Sequence, residues 1–288
     1  SRGLGDVYKR QALVLHKVGD VARLQTDSMI ISSFINVTVN GFVDNYNMIM
    51  NSAANVVNIV FNSVLSSFGN LIATESRDRQ YELFKVYRFA ASWIYGFAAV
   101  GFAILLTPFI TLWVGAERTL AFSVIGCILI DFYFKGERIV LSNFKTAAGV
   151  FEQDKYLALI QGVVNLVISI VLVVRIGLVG VYIGTIVSGL IANVTKPIII
   201  YHVILDRKAG EYFRDSMKYC LLLVIQYGIF YGISGIIMKE ITILTFLVMF
   251  VIICVVFNGI FLMVFRKAGE FQYLVTIVRR KIDERKVR

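Results

Sequence analysis

The chain has 288 residues, 58% hydrophobic and 17% charged, with a mean hydropathy of +0.75 and a net charge of +10. A charged fraction so far below the roughly 25% of soluble domains excludes an ordinary soluble enzyme and reads as a polytopic membrane protein. Two histidines, His16 and His202, and three cysteines scattered through apolar runs, Cys127, Cys220 and Cys254, leave little for histidine catalysis, a metal site or any cofactor.

Residues 1–15 read as a disordered or non-native flank. Their first part, SRGLGDVYKRQ, is polar and glycine-containing and lacks the apolar core of a signal peptide. The first membrane segment is expected at 25–42, with Asp27 near its start and Arg23 four residues earlier. That spacing fits a surface ion pair or an ionisable pair at the mouth of a cavity.

The second segment, 45–74, carries the most information. No charge occurs between Asp44 and Glu75, so the run is long enough to cross a hydrocarbon core that needs about 20 residues. Yet Asp44, Asn47, Asn51, Asn55, Asn58, Asn62, Ser66 and Asn70 follow at steps of three or four, which stacks them on one helical face. Amides facing lipid tails would be costly, so the row must face partner helices or a water-filled cavity.

A third segment spans 89–114, with Trp93 and Trp113 near its ends and Pro108 expected to kink or stop it. The stretch ELFKVYRF just before it, at 82–89, reads as interfacial. The fourth segment starts at 119 and either ends near Phe134 or continues to about Phe144. In the second case Asp131, Lys135 and Arg138, at i, i+4 and i+7, form one charged face. That set suits an anionic headgroup, or a helix end with an internal salt bridge. Segments at 156–174, 176–201, 219–238 and 241–265 bring the expected total to about eight transmembrane helices. Lys196 stands alone inside the sixth, directly before Pro197. Gly180 and Gly184, like Gly228 and Gly232, have the spacing of close helix packing.

Lys and Arg test the topology. With residue 20 placed inside, 25 of the 29 fall in inside segments, three (Arg118, Arg175, Lys239) outside, and Lys196 within a span. Basic loops stay cytoplasmic, so both ends are expected there, and the positive charge needs no nucleic acid. The tail at 266–288 places Phe271, Leu274, Val275, Val278 and Ile282 on one face among basic residues, as in a helix lying on anionic membrane lipids. No GxxxxGK[ST], HExxH or GxSxG motif occurs, so neither an ATP-driven motor nor a familiar hydrolase is indicated.

The blocks QTDSMIISSFINVTVNGFVDNY, SSFGNLIA, TPFITLWVG and TAAGVFEQDKYLALIQGVVNLVISIVLVVRIGLVGVYIGTIVS, in this order, resemble the second half of bacterial polysaccharide flippases of the Wzx type. These belong to the multidrug/oligosaccharidyl-lipid/polysaccharide exporter superfamily. The resemblance implies an all-α, two-lobed transporter of the cytoplasmic membrane. Residues 16–205 would be its C-terminal lobe of about six helices, 206–265 two additional helices and 266–288 the cytoplasmic tail, with the N-terminal lobe missing. The implied substrate is a glycan on polyprenyl diphosphate, an O-antigen, capsule or exopolysaccharide repeat unit. Implied partners are membrane lipids, the missing lobe, a polysaccharide polymerase and other assembly proteins. No residue is a strict motif match. By chemistry, Arg23, Lys135, Arg138 and Lys196 would hold diphosphate, the asparagines would bond sugar hydroxyls, and Asp27, Asp44 and Asp131 share the same face or cavity. A multidrug or small-cation exporter of the same superfamily, or a membrane enzyme acting on polyprenyl-linked sugars, stays open at this point.

Overall fold

The computed structural model describes residues 26–63 and 65–286. Residues 1–15 and Arg23 lie outside that range. All regular structure among the described residues is helical: α1 (26–34), α2 (Val37–Ser63), α3 (Leu65–Thr74), α4 (Arg77–Val114), α5 (Phe122–Ala147), α6 (Leu157–Ile176), α7 (Leu178–Ile199, extended by a π turn over Ile200–Ile204), α8 (Gly210–Ile237), α9 (Ile243–Phe265) and α10 (Gly269–Lys286).

Five of these helices are long and apolar enough to cross a membrane: α4, α6, α7 with its π turn, α8 and α9. The chain is a polytopic membrane helix bundle. At 27 and 26 residues, α2 and α5 have the length to cross as well, but the asparagines of the first and the mid-helix charges of the second lower their apolarity.

Three boundaries differ from the sequence expectation. The segment expected at 25–42 is not one helix: it breaks at Ile35 and Asn36, where the Asn36 side chain caps α2 by accepting from the Thr38 N–H at 2.7 Å. From there α2 runs without interruption through the boundary expected between 42 and 45. Pro108 neither stops α4 nor shortens it; the helix continues to Val114 and ends at Gly115, whose φ of 101° only glycine adopts readily. The stretch 82–89 is not an interfacial helix but part of α4, with Phe84, Tyr87, Arg88 and Phe89 buried. At 38 residues α4 is about 57 Å long, well beyond a hydrocarbon core of about 30 Å, so part of it stands outside that core.

Two faces of α4 organise the packing. One enters a large apolar cluster with Ile31, Tyr46, Phe144, Val181, Tyr201 and Tyr212; the other packs Phe89, Val100 and Ile104 against Phe230 of α8 and Met249, Ile253, Phe257 and Phe261 of α9. The pair α8–α9 thus sits on the outer side of α4. Trp93 ties it there, stacking on Phe261 at 4.9 Å and donating its indole N–H to Asn258 at 2.9 Å.

The tightest contact is the hairpin of α6 and α7, joined by Gly177 alone. A Cβ on Gly180 would sit 2.5 Å from the Leu172 carbonyl, and one on Gly184 2.2 Å from the Ser169 hydroxyl, so both glycines serve close approach. Gly228 and Gly232 do not: among the described residues nothing lies within 4 Å of either position. Identical spacing has no packing consequence when no helix faces it.

At the basic end of the bundle, Arg77 pairs with Asp206 at 2.9 Å and Arg207 with Asp78 at 2.6 Å, while Tyr81 bonds Glu211. These contacts clasp the start of α4 to the α7–α8 linker and to the first turn of α8. On α10, Phe271 and Leu274 pack against the α4–α8–α9 cluster and Glu270 meets Lys85 at 3.8 Å, so protein covers part of the apolar face expected to lie on lipid.

Candidate functional site

The asparagine row owes its position to the residues one step before it. Val43, Tyr46, Met50 and Phe61 are buried, forming the edge by which α2 packs on the bundle. One residue later along a helix means a turn of about 100°, so the asparagines run beside this edge rather than in it. Their environments differ. Asn47 is half-buried beside Tyr182 of α7, Asn58 accepts from the Tyr95 hydroxyl of α4, and Asn62 accepts from the Asn143 amide of α5 at 3.1 Å. Asp44, Asn51 and Asn55 are exposed, and Asp44 accepts from Asn40 at 3.3 Å. The C-terminal part of the row is thus bonded to neighbouring helices, while Asn51 and Asn55 in its middle face outward.

A second row lies on α5. The helix does not end near Phe134 but continues to Ala147, carrying Asp131, Lys135, Arg138 and Ser142 at i, i+4, i+7 and i+11 on one face. Lys135 meets Asp131 at 2.8 Å and Arg138 meets it at 3.1 Å; Arg138 also donates to Asn193 of α7 at 2.6 Å. Asn193 in turn donates to the Phe134 carbonyl at 3.2 Å. Asp131 and Arg138 are buried, whereas the Lys135 side chain is 47% exposed. Lys196 joins this row, donating to the Ser142 hydroxyl at 2.6 Å. The residues expected as a charged set and the lysine that stood alone in the sequence therefore come together along one α5–α7 seam, where Lys135, Arg138 and Lys196 accompany Asp131 among the described residues. Next to Ser142, Asn143 joins this seam to the end of the asparagine row.

Asp27, on α1, meets α7 at a different point. Its carboxylate accepts from the Thr185 hydroxyl at 2.7 Å, and Thr185 accepts from the Asn165 amide of α6 at 3.0 Å. Whether it also pairs with Arg23 lies outside the described residues. The sequence reading missed Tyr182, Asn165 and Thr185. Tyr182 is buried near three carboxylates: Asp27, Asp44 and Asp131 lie within electrostatic range of its hydroxyl. The signal available in the sequence was the polar series Asn165, Ser169 and Tyr182, Thr185 inside otherwise apolar helices, where a buried polar group needs a partner.

Between α2, α4 and α9 lies a cavity of about 320 Å³ lined only by apolar side chains, among them Ile49, Phe97, Phe102, Phe109, Phe246 and Phe250. Ile49 belongs to the same helix as the asparagine row, so α2 presents a polar row and an apolar recess. Among the described residues no group of three His, Cys, Asp or Glu side chains could hold a metal ion.

No protein-family model matches the chain, and none of the curated proteins matches it. Among solved structures it is similar to the lipid II flippase MurJ in an inward closed conformation, with a TM-score of 0.53 and 16% identity over 89% of this chain and 53% of that one. The chain therefore spans about half the length of that structure. At this identity the likeness is one of fold.

Proposed function

We propose that this chain is one lobe, with two additional helices, of a transporter that carries a polyprenyl-diphosphate-linked oligosaccharide across the bacterial cytoplasmic membrane by alternating access. The carrying observation is the outward-facing middle of the asparagine row, Asn51 and Asn55, on a membrane-length helix within a fold shared with a lipid-linked-precursor flippase. Exposed amides at that depth are costly against lipid and useful against sugar hydroxyls. The cationic α5–α7 seam supplies charge for a diphosphate, with Lys135 exposed and Lys196 partly so. The recess beside α2 offers the polyprenyl chain an apolar wall within reach of the same helix.

The resemblance to the Wzx type favours a surface-polysaccharide repeat unit as cargo, and the lysine and arginine distribution favours both ends of this chain in the cytoplasm. In this reading the second lobe completes the cavity, and polymerase and other assembly proteins receive the product.

The test uses the native full-length gene. Its deletion leads to lipid-linked oligosaccharide retained on the cytoplasmic side; wild type clears it, and a variant with Asn51 and Asn55 changed to leucine, present in equal amount, does not. Full clearance by that variant would leave the asparagines as packing residues. No retention on deletion, in a strain without a second such transporter, would sink the reading.

A further inference from the structure

Away from both rows, α4, α5 and α8 enclose a second set of polar groups. Glu137 and Arg88 are each 3% exposed, enclosed by protein between these three helices. They make no direct ion pair. Arg88 spends its Nη2 on the Tyr212 carbonyl and the Ser216 hydroxyl, both at 2.6 Å, and its guanidinium lies over the Tyr212 ring at 3.8 Å and near the Tyr219 ring at 5.6 Å. Two ring faces, a carbonyl and a hydroxyl hold this cation without a carboxylate.

Glu137 is left with little. The Tyr212 hydroxyl approaches Oε2, and the Ser216 hydroxyl both oxygens, all at 3.4 Å, the long limit of a hydrogen bond. The neighbouring residue does not help, because Arg138 faces Asp131 and Asn193. The titratable groups within electrostatic range of Glu137 are Arg88 on α4, Tyr133 on its own helix, and Tyr212, Tyr219 and Cys220 on α8; Tyr201 after α7 faces Arg88. Arg88 is the one cation among them. Three polar atoms around this cluster, Arg88 Nε, Ser92 Oγ and the Tyr133 hydroxyl, are buried without a hydrogen-bond partner.

A buried carboxylate with two long donors is poorly solvated, and a buried network with spare donors and acceptors has room for another proton. Each charge state of Glu137 has something to gain. As the acid it can donate to an oxygen that lacks a donor, such as that of Tyr133. As the carboxylate it takes the Ser216 hydroxyl and the field of Arg88. We infer that Glu137 is a proton-binding site, neutral and ionised in turn, with Arg88 as a fixed counter-charge and Ser216 as the hydroxyl between them. The step is one proton taken from water by the carboxylate and returned to it, with no other bond changed. Only the use of this proton in a transport cycle rests on the proposed function; its binding does not.

The experiment is infrared difference spectroscopy of the full-length protein in nanodiscs, without substrate, between about pH 5 and pH 9, a range that exposed carboxylates leave silent at its upper end. The expected result is a protonated-carboxyl band that titrates inside this window, is missing from Glu137→Gln, and shifts its midpoint up by about half to one pH unit in Ser216→Ala, where the ionised form loses a donor. Superimposable difference spectra for wild type and Glu137→Gln would overturn the inference. If Glu137→Gln fails to fold, an absent wild-type band or an unmoved midpoint in Ser216→Ala does the same. Because no substrate is present, failure here leaves the flippase reading standing, and failure of that reading leaves this site standing.

Discussion

Arg138 and Asp131 stand two turns apart on α5, and the guanidinium that meets the carboxylate at 3.1 Å also reaches Asn193 of α7 at 2.6 Å. One side chain thus closes an ion pair within its helix and a bond between helices. Breaking a buried pair from one side leaves an uncompensated charge, which costs about 3 to 5 kcal/mol. Here Lys135, at 2.8 Å from Asp131, compensates in part. Arg138→Met is therefore expected to lose about 2 to 3 kcal/mol, somewhat below that range. Arg138→Met with Asp131→Asn should lose less than the single variant. Thermal unfolding in detergent measures both; equal losses in the two would show that the pair contributes through Asn193 alone.

The two glycine pairs make a controlled comparison. Gly180→Ala and Gly184→Ala drive a methyl group into the Leu172 backbone and the Ser169 side chain, and overpacking of this kind costs about 1 to 3 kcal/mol. At Gly228 nothing stands within 4 Å, so Gly228→Ala should be neutral or gain up to about 1 kcal/mol from helix propensity. Melting temperatures of the three variants would decide it, and a loss at Gly228 comparable to that at Gly184 would point to a contact made outside this chain.

These two cases show what local pattern can and cannot convey. The spacing of Asp131, Lys135 and Arg138 places them on one face whatever surrounds them, and the same holds for the asparagine row, because a helix fixes neighbours three and four residues apart. Partners distant in sequence are not readable that way: Asn193 for Arg138, Ser142 for Lys196, Tyr95 for Asn58. Arg88 was hidden for the same reason, since ELFKVYRF has the look of an interfacial stretch until α8 covers it. The break before α2 was missed because its cap is a single asparagine, while Gly41 and Asp44 give the stronger turn signal five and eight residues later.

Asp206 combines a strained backbone with a contact. Its φ of 54° lies in the left-handed region that L-residues other than Asn and Asp seldom adopt, and its carboxylate accepts from Arg77 at 2.9 Å. The pair is exposed and contributes on the order of 0.5 kcal/mol. Asp206→Gly removes the pair and relieves the backbone, so the two effects nearly cancel. Asp206→Val loses the pair and places a β-branched residue at positive φ, an added cost of about 1 to 2 kcal/mol. The order of thermal stabilities should be wild type about equal to the glycine variant, with valine below both; valine equal to glycine would mean that the backbone strain is not carried in the folded state.

Lys196 allows the transport reading and a packing reading to be separated. Its ammonium donates to the Ser142 hydroxyl at 2.6 Å, and the side chain is only partly buried, so the charge can face a diphosphate while the stem packs between α5 and α7. If the cation holds substrate, Lys196→Gln should lower the rate of oligosaccharide translocation by about tenfold, the equivalent of one charge-assisted hydrogen bond at about 1.4 kcal/mol. Lys196→Arg should keep most of it, and Ser142→Ala, which leaves the charge in place, should change the rate less than twofold. If the lysine instead ties α7 to α5, then Lys196→Gln and Ser142→Ala lower the melting temperature by similar amounts, and transport falls only as far as protein abundance does. Measuring rate per molecule together with melting temperature for these three variants distinguishes the two roles.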